Sequence, residues 1–358
     1  MDFEDVQRVW NQSRESCGIK EAPAAPLLNP DKSVLVVNAG ITVFKAAMLS
    51  GLDIEATSIT QPCIRTHWGS DGLFLFTMLT AIGSISELGK GLDLVRGFLK
   101  ALPFDQESYF CAVDRRDDDV VAIAREFSDD RNIRFQRGNT PAYWTRWQFG
   151  SGEDLVGRGL TIIAQDNDGQ RHSLGNIILV EHNPSGCQYF DIGFGLERIV
   201  SIFHNGDFWT ASRWNKSIYA ICDLGFSESD ARQIANHLVA IHKLIAEGAA
   251  PGPKGAGYLT RKLIRQAVDQ TILQVSPAAQ PDDAGTILLA ASAILIDAKN
   301  NEVHSIIVAH VQSYISGVSK AIRRAERAAR KSGVAIHELD LSGTFGIPTW
   351  AQTDALKK

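Results

Sequence analysis

The sequence predicts an α+β protein: an antiparallel sheet with flanking helices, followed by an all-helical domain. Three observations predict it. Short apolar runs bounded by Gly, Pro and Asn turns recur through the first half, interleaved with amphipathic stretches of helical period. Residues 145–200 are strand-rich, with turns at Asp166-Asn167-Asp168-Gly169 and Asn183-Pro184-Ser185-Gly186. From 228 to 332 almost everything has helical periodicity. The expected division is residues 1–225 for the α+β domain and 226–358 for the helical one.

In chain order, residues 3–14 read as a short helix, with Phe3, Val6, Val9 and Trp10 on one stripe. Pro23, Pro26 and Pro30 mark an extended connection. Ser33–Val37 reads as a buried strand, followed by Asn38-Ala39-Gly40 and a helix through Leu49. Residues 61–81 read as two strands joined by a Gly69-Ser70-Asp71-Gly72 turn. A helix near 86–101, a strand at 107–113 and a helix near 116–127 come next. Gln188–Phe190 is strand and Leu196–Phe203 opens a helix. The helical half is interrupted at Gly248–Gly257 and at a Pro277–Asp283 loop.

The 358 residues suffice for two domains, and 44% hydrophobic with 22% charged residues is ordinary for a soluble globular chain. A net charge of −5 argues against a protein that coats nucleic acid generally. Five cysteines stand singly, without CxxC or Cys/His spacing. That excludes a disulfide framework and a zinc site, and it favours a reducing cytoplasm. The acidic N-terminus is not a signal peptide, and no apolar run is long enough to span a bilayer. A cytoplasmic protein without membrane partners is expected.

Residues 190–199, Phe-Asp-Ile-Gly-Phe-Gly-Leu-Glu-Arg-Ile, carry the most chemistry. Gly193 and Gly195 lack a Cβ and let a planar or phosphorylated ligand approach the backbone. Arg198 falls in the first turn of the following helix, where free N–H groups favour an anion. Asp191 is placed to hold a cationic amino group beside it. The plain alternative is a glycine-rich turn with a surface Glu197–Arg198 pair.

This strand-Gly-x-Gly-Leu-Glu-Arg-helix element resembles motif 3 of the class II aminoacyl-tRNA synthetases. Further segments, in the same order, resemble alanyl-tRNA synthetase. Asn38–Lys45 is similar to that family's N-A-G-M-x-x-F-K, and Gln61-Pro62-Cys63-Ile64-Arg65 to its Q-x-C-x-R motif 2 strand. Trp147-Gln148-Phe149-Gly150 resembles W-Q-M-G, and Asn176 falls at the asparagine of W-N-x-V-F. His237–Gly248 is similar to D-H-I-R-x-x-x-F-L-I-A-D-G, Gly257–Arg265 to G-Y-V-L-R-R-I-I-R, and Thr344–Pro348 to T-Y-G-F-P. The resemblance implies a class II synthetase-like catalytic domain followed by the helical middle domain. The editing and C-terminal domains, with their editing zinc ligands, are expected to be lacking.

The resemblance also implies roles. Arg65 would bridge the amino-acid carboxylate and the α-phosphate of ATP, a task suited to a planar guanidinium. Arg198 would cover the adenine and reach the terminal phosphate. Asp191 would neutralise the α-ammonium group. Trp147, Asn176 and Ile178 would shape a small side-chain pocket, and Gly193 would admit the substrate backbone. Phe74 or Phe76 would supply the other face of the adenine slot, beside Gly195. Each has a bland counterpart: an ordinary strand arginine, a core tryptophan, an asparagine satisfying buried backbone, a phenylalanine facing the sheet core.

Departures from the family bear on function. The motif 2 loop is cut to Thr66–Gly72, and the glutamate of F-F-E-M-L-G-N-F-S-F-G is lost in Leu75–Ile85. The acid before W-N is replaced by Ser173, and the acidic end of G-P-C-G-P-C-x-E is missing. ATP and magnesium are expected, with the magnesium ligands unknown; Glu153, Asp154 and Glu181 are the available substitutes. The segment Pro251–Gly257 has neither asparagine of P-S-N-E-N-R-G, and Gly343 stands where an aspartate precedes T-Y-G-F-P. Both readers of the tRNA acceptor stem are absent. A basic stripe on Lys320–Lys331 (Arg323, Arg324, Arg327, Arg330) either meets phosphates or forms a solvated face.

The expected function is a ligase that forms an aminoacyl adenylate from a small, alanine-like amino acid and ATP. It would transfer the aminoacyl group to a non-standard acceptor, a small molecule or carrier protein, in specialised biosynthesis. tRNA stays open as a partner, but standard recognition of tRNA-Ala is not expected. The alternatives are an inactive paralogue serving as a ligand- or protein-binding module and, more weakly, a minimal alanyl-tRNA synthetase. A monomer or weak dimer is expected.

Overall fold

The computed structural model describes residues 1–28, 34–65, 74–103, 109–127, 132–135, 147–148, 154–166, 169–212, 214–275, 281–295 and 301–356. Two compact units result, Met1–Arg213 and Trp214–Lys358.

The first unit is built on a nine-stranded sheet. Its strands are β1 (Lys20–Glu21), β2 (Thr57–Ile64), β3 (Leu75–Ser84), β4 (Tyr109–Val113), β5 (Ile133–Phe135), β6 (Trp147–Gln148), β7 (Leu155–Gln165), β8 (Arg171–His182) and β9 (Cys187–Gly195). They lie in the order β1-β2-β3-β9-β8-β7-β4-β5, with β6 paired to β7. Only the β1–β2 and β4–β5 pairs are parallel, so the body of the sheet is antiparallel.

One face packs against α1 (Phe3–Ser16), α3 (Leu88–Ala101), α4 (Asp118–Phe127) and α5 (Leu196–Ile202). A capping box between Asp2 and Asp5 starts α1. Its predicted stripe is real: Val6 and Trp10 are fully buried, while Phe3 and Val9 pack at the margin. Trp10, Phe98 of α3 and Phe194 of β9 form a three-ring cluster with centroids 5.0–5.9 Å apart. The indole Nε1–H donates to Ser58 Oγ at 3.0 Å, so the tryptophan is buried without an orphaned polar atom. Phe190, Ile192 and Phe194 of β9 all join this core. Strand alternation therefore sends Tyr189, Asp191, Gly193 and Gly195 to the other face. A smaller cluster sits there, made by Ile41, Met48, Ile82, Ile178, Val180 and Tyr189 together with Ile54 and Leu155.

The expected strand at Ser33–Val37 is not one. Ser33 lies outside the described residues, and 34–37 are irregular. Val36 and Val37 are buried, but the backbone of Val37 only links Leu27 O (2.8 Å) to Ile64 N (2.9 Å). The expected helix that follows is a 3-10 turn, Gly40–Val43, and then the short α2 (Lys45–Leu49). The two strands expected in 61–81 are β2 and β3, paired from Thr57↔Ile82 to Ile64↔Leu75. Their Gly69–Gly72 turn lies outside the described residues. After α5, α6 (Phe208–Ala211) ends the unit.

The second unit is helical: α7 (Asn215–Cys222), α8 (Glu228–Ala246), α9 (Gly255–Val275), α10 (Pro281–Leu295), α11 (Asn301–Ser332) and α12 (Thr349–Leu356). Ser227 caps α8 by accepting from Asp230 N. The loop expected at Pro277–Asp283 ends early, because Pro281 opens α10, a first-turn position where its missing N–H costs nothing. Asp269 of α9 accepts from Tyr314 Oη of α11 (2.7 Å) and from Trp350 Nε1 of α12 (2.8 Å). Val318, Ala321, Ala325, Leu341, Ile347 and Ala351 form the apolar cluster behind that node. Among the described residues no helix is long and apolar enough to cross a membrane.

Candidate active site

The sheet face opposite the α1–α3 core carries the residues expected from the sequence. Register places them in adjoining rows. One row runs Ile59–Thr80–Gly193–Asn176–Thr161 across β2, β3, β9, β8 and β7. The next runs Thr57–Ile82–Asp191–Ile178–Gly159 across the same strands. Asp191, Gly193, Asn176 and Ile178 are thus neighbours on one surface. Asn176 Oδ1 accepts from Thr161 Oγ1 at 2.7 Å, which fixes its amide.

Arg65 follows β2 directly. Its Nε donates to Asn38 O at 2.8 Å, and its guanidinium lies over the Phe76 ring, 4.8 Å from the centroid. Nη2 approaches Met78 Sδ at 3.8 Å. The backbone of Asn38-Ala39-Gly40 therefore serves as a fixed acceptor that aims the arginine, while Thr42 Oγ1 donates to Asn38 Oδ1. Phe76 carries this cation on its ring. Phe74 precedes β3, is buried, and accepts from Arg65 N through its carbonyl at 3.0 Å.

Asp191 is 7% exposed, and burial pushes its carboxyl up to about 7, with the nearby Arg65 charge acting in the opposite direction. A buried carboxylate beside the Arg65 cation is suited to receive an ammonium group, which would restore its charge. Cys63, on the same face, is inert: burial raises its thiol, and Glu197 and Asp191 add to that against Arg65.

The two motif glycines have reasons of their own. A Cβ on Gly193 would stand 2.6 Å from Met78 Cε, and one on Gly195 would stand 3.0 Å from Arg198 Cδ. Gly195 lets the Arg198 side chain fold back over the strand end, and Nη1 reaches Ser173 O of β8 at 3.4 Å. Gly40 is tighter still, since its missing Cβ would fall 2.0 Å from Thr80 Oγ1. That hydroxyl is buried and has no hydrogen-bond partner among the described residues.

Trp147 lies in β6, paired with Gly157, whose row contains Val180 of β8. Its side chain lies outside what the structure describes. Glu153 also falls outside the described residues, and Asp154 is exposed before β7. Glu181 pairs with Val156 and Gln188, one residue out of phase with Asp191's neighbours, so it is on the opposite face. There it lines a separate cavity with Arg158 and Gln188. Among the described residues no three His, Cys, Asp or Glu side chains converge as a metal-binding group.

Glu197 is the residue the sequence reading undervalued. Both carboxylate oxygens accept from Thr77 N, at 2.9 and 2.8 Å, across 120 positions of sequence. Burial pushes its carboxyl up to about 7, against the lowering effects of the Thr77 hydrogen bonds and Arg198. The Leu-Glu-Arg order held the signal, but helical position alone suggests a surface pair.

Residues 187–350 match the family model for tRNA synthetases class II (A). An alanine–tRNA ligase of Ehrlichia ruminantium is 25% identical over 306 residues, which cover 74% of this chain and 34% of that protein. One from Kineococcus radiotolerans is 25% identical over 396 aligned positions, covering 96% of this chain and 43% of that protein. The chain thus spans well under half the length of these curated relatives. Two solved structures are more distant. A pyrrolysyl-tRNA synthetase from Desulfitobacterium hafniense is 14% identical with a TM-score of 0.34, covering 59% of this chain and 73% of that one. An aspartyl tRNA synthetase from Entamoeba histolytica is 11% identical with a TM-score of 0.38, covering 59% and 56%. At those scores the likeness carries no weight beside the sequence matches. The family model and the relatives that align over most of the chain support a diverged alanyl-tRNA synthetase-like protein of class II.

Proposed function

We propose that the chain activates a small amino acid with ATP and passes the aminoacyl group to an acceptor other than tRNA-Ala. One observation carries the first half. Asp191, Gly193, Asn176 and Ile178 share one sheet face, with Arg65 and Arg198 beside it. The amino-acid carboxylate would attack the α-phosphorus of ATP, and the bond to the bridging oxygen would break to release pyrophosphate. Two anions must meet, so fixed cations are required where negative charge develops. Arg65, aimed by Asn38 O and Phe76, would take the carboxylate and the α-phosphate. Asp191 would hold the ammonium, and Arg198 the adenine side. Ile178, 6% exposed in the apolar cluster, and Asn176, held by Thr161, favour a small side chain.

Support for the second half is the residues at the positions that read the acceptor stem in the family. Pro251–Gly257 carries no asparagine, and Gly343 replaces an acid. The acceptor would be a small molecule or carrier in specialised biosynthesis. Ser173, standing where the family has an acid, favours a second reading, an inactive ligand-binding module.

ATP–pyrophosphate exchange across the common amino acids, with magnesium and without tRNA, tests the proposal. Exchange with one small amino acid is expected, and Arg65→Ala should lower it by about 10²–10³-fold. Amino-acid binding without any exchange would favour the module instead.

A further inference from the structure

The β3–β9 ladder ends at Met78↔Gly195, where β9 gives way to α5. Thr77, one residue beyond, has no partner on β9. Its N–H is taken by the Glu197 carboxylate, so a side chain from the helix continues a ladder that the strand has left. The residues on either side of this contact are the ones that matter. Phe76 precedes Thr77 and bears the Arg65 guanidinium on its ring. Arg198 follows Glu197, and its side chain crosses Gly195 toward Ser173 O. One carboxylate therefore ties the platform of one arginine to the backbone of the other. Among the described residues Glu197 forms no ion pair.

We propose that Glu197 is a positioning residue that holds Arg65 and Arg198 at a fixed separation for binding ATP. The proposal rests on the adenylate-forming reading for its effect on catalysis, but the contact itself does not. Deleting the carboxylate frees the start of β3 from the start of α5, and each arginine then moves with its own element. A displacement on the order of 1 Å at such a site costs about 10²-fold in rate. The part of the amino-acid end built on Asp191, Asn176 and Ile178 within the intact β8–β9 ladder is untouched, so the amino acid loses only the Arg65 contact to its carboxylate while ATP loses both arginines.

The test uses the full chain with Glu197→Ala and Glu197→Gln. In pyrophosphate exchange, Glu197→Ala should raise KM for ATP at least about 10-fold and lower kcat, with a smaller rise in KM for the amino acid, which meets Arg65 but not Arg198. Glu197→Gln keeps one carbonyl acceptor for Thr77 N and should recover most of the loss. Hydrogen exchange supplies a readout independent of catalysis: protection at the Thr77 amide should fall in Glu197→Ala and return in Glu197→Gln. Equal shifts in both KM values, or unchanged ATP kinetics, would overturn the proposal. If the wild type shows no exchange at all, ATP affinity by calorimetry replaces it. Unchanged or undetectable ATP binding with lost Thr77 protection would then sink the positioning role, whereas an ATP-specific loss would keep it and sink only the catalytic reading.

Discussion

Asp191 makes the sharpest demand on conditions. Its carboxyl titrates near pH 7 in the ligand-free protein and near 4 when unfolded. Between those values the folded state keeps a proton the unfolded state has lost, so this group favours folding below about pH 4 and loses that contribution as pH rises through about 7. Binding runs the other way. An ammonium ligand needs the carboxylate, and the ammonium of a free amino acid stays charged throughout this range. Amino-acid affinity is expected to weaken by up to about tenfold per unit as pH falls below 7. Asp191→Asn should bind weakly and show a flat profile. Calorimetric titration at pH 5.5, 6.5 and 7.5 checks it, and a wild-type affinity that ignores pH would refute the assignment.

Among the elements, α1 depends on the sheet more than its short length suggests. Trp10 is fully buried, stacks edge-on against Phe98 and donates to Ser58. Trp10→Ala should cost about 3–5 kcal/mol, from lost apolar contact plus a cavity that the sheet cannot close. Urea unfolding of the first unit's transition would reveal it; a loss under about 1 kcal/mol would mean that α1 frays from its own core. The same helix shows what local sequence conveys well. Its apolar stripe sits within one element and was legible. Ser33–Val37 was misread for the complementary reason: an apolar run is equally compatible with a strand and with a buried irregular segment, and among the described residues Val37 bonds through its backbone to Leu27 and Ile64 without forming a ladder. The two-residue β1 gave no apolar signal at all, since Lys20 and Glu21 are polar and exposed.

For the whole molecule, residue types at the site were legible and their assembly was not. The row Thr80–Gly193–Asn176–Thr161 depends on register among three consecutive strands and the distant β3, which local pattern does not set. Glu197 shows the same limit, because its partner Thr77 lies 120 residues away. In the second unit, Lys320, Arg323, Arg324, Arg327 and Arg330 are exposed along α11. None of them forms an ion pair among the described residues. This face should bind RNA backbones without regard to sequence. The double variant Arg323→Ala/Arg327→Ala should reduce the slope of log K against log salt by about 2 for tRNA-Ala and for an unrelated tRNA alike. A loss confined to tRNA-Ala, read by filter binding, would restore the minimal-synthetase reading.

The contact between Gly40 and Thr80 limits how this chain can drift. An alanine at position 40 would collide with the Thr80 side chain, whose three nearest atoms lie 2.0–2.6 Å from the added carbon. The collision is with a β-branched residue locked in a strand, so a rotamer change does not relieve it. The two positions are therefore expected to change together: where a descendant of this gene bears alanine at 40, the residue at 80 should have become glycine first, since alanine there would keep its own Cβ 2.6 Å from the new one.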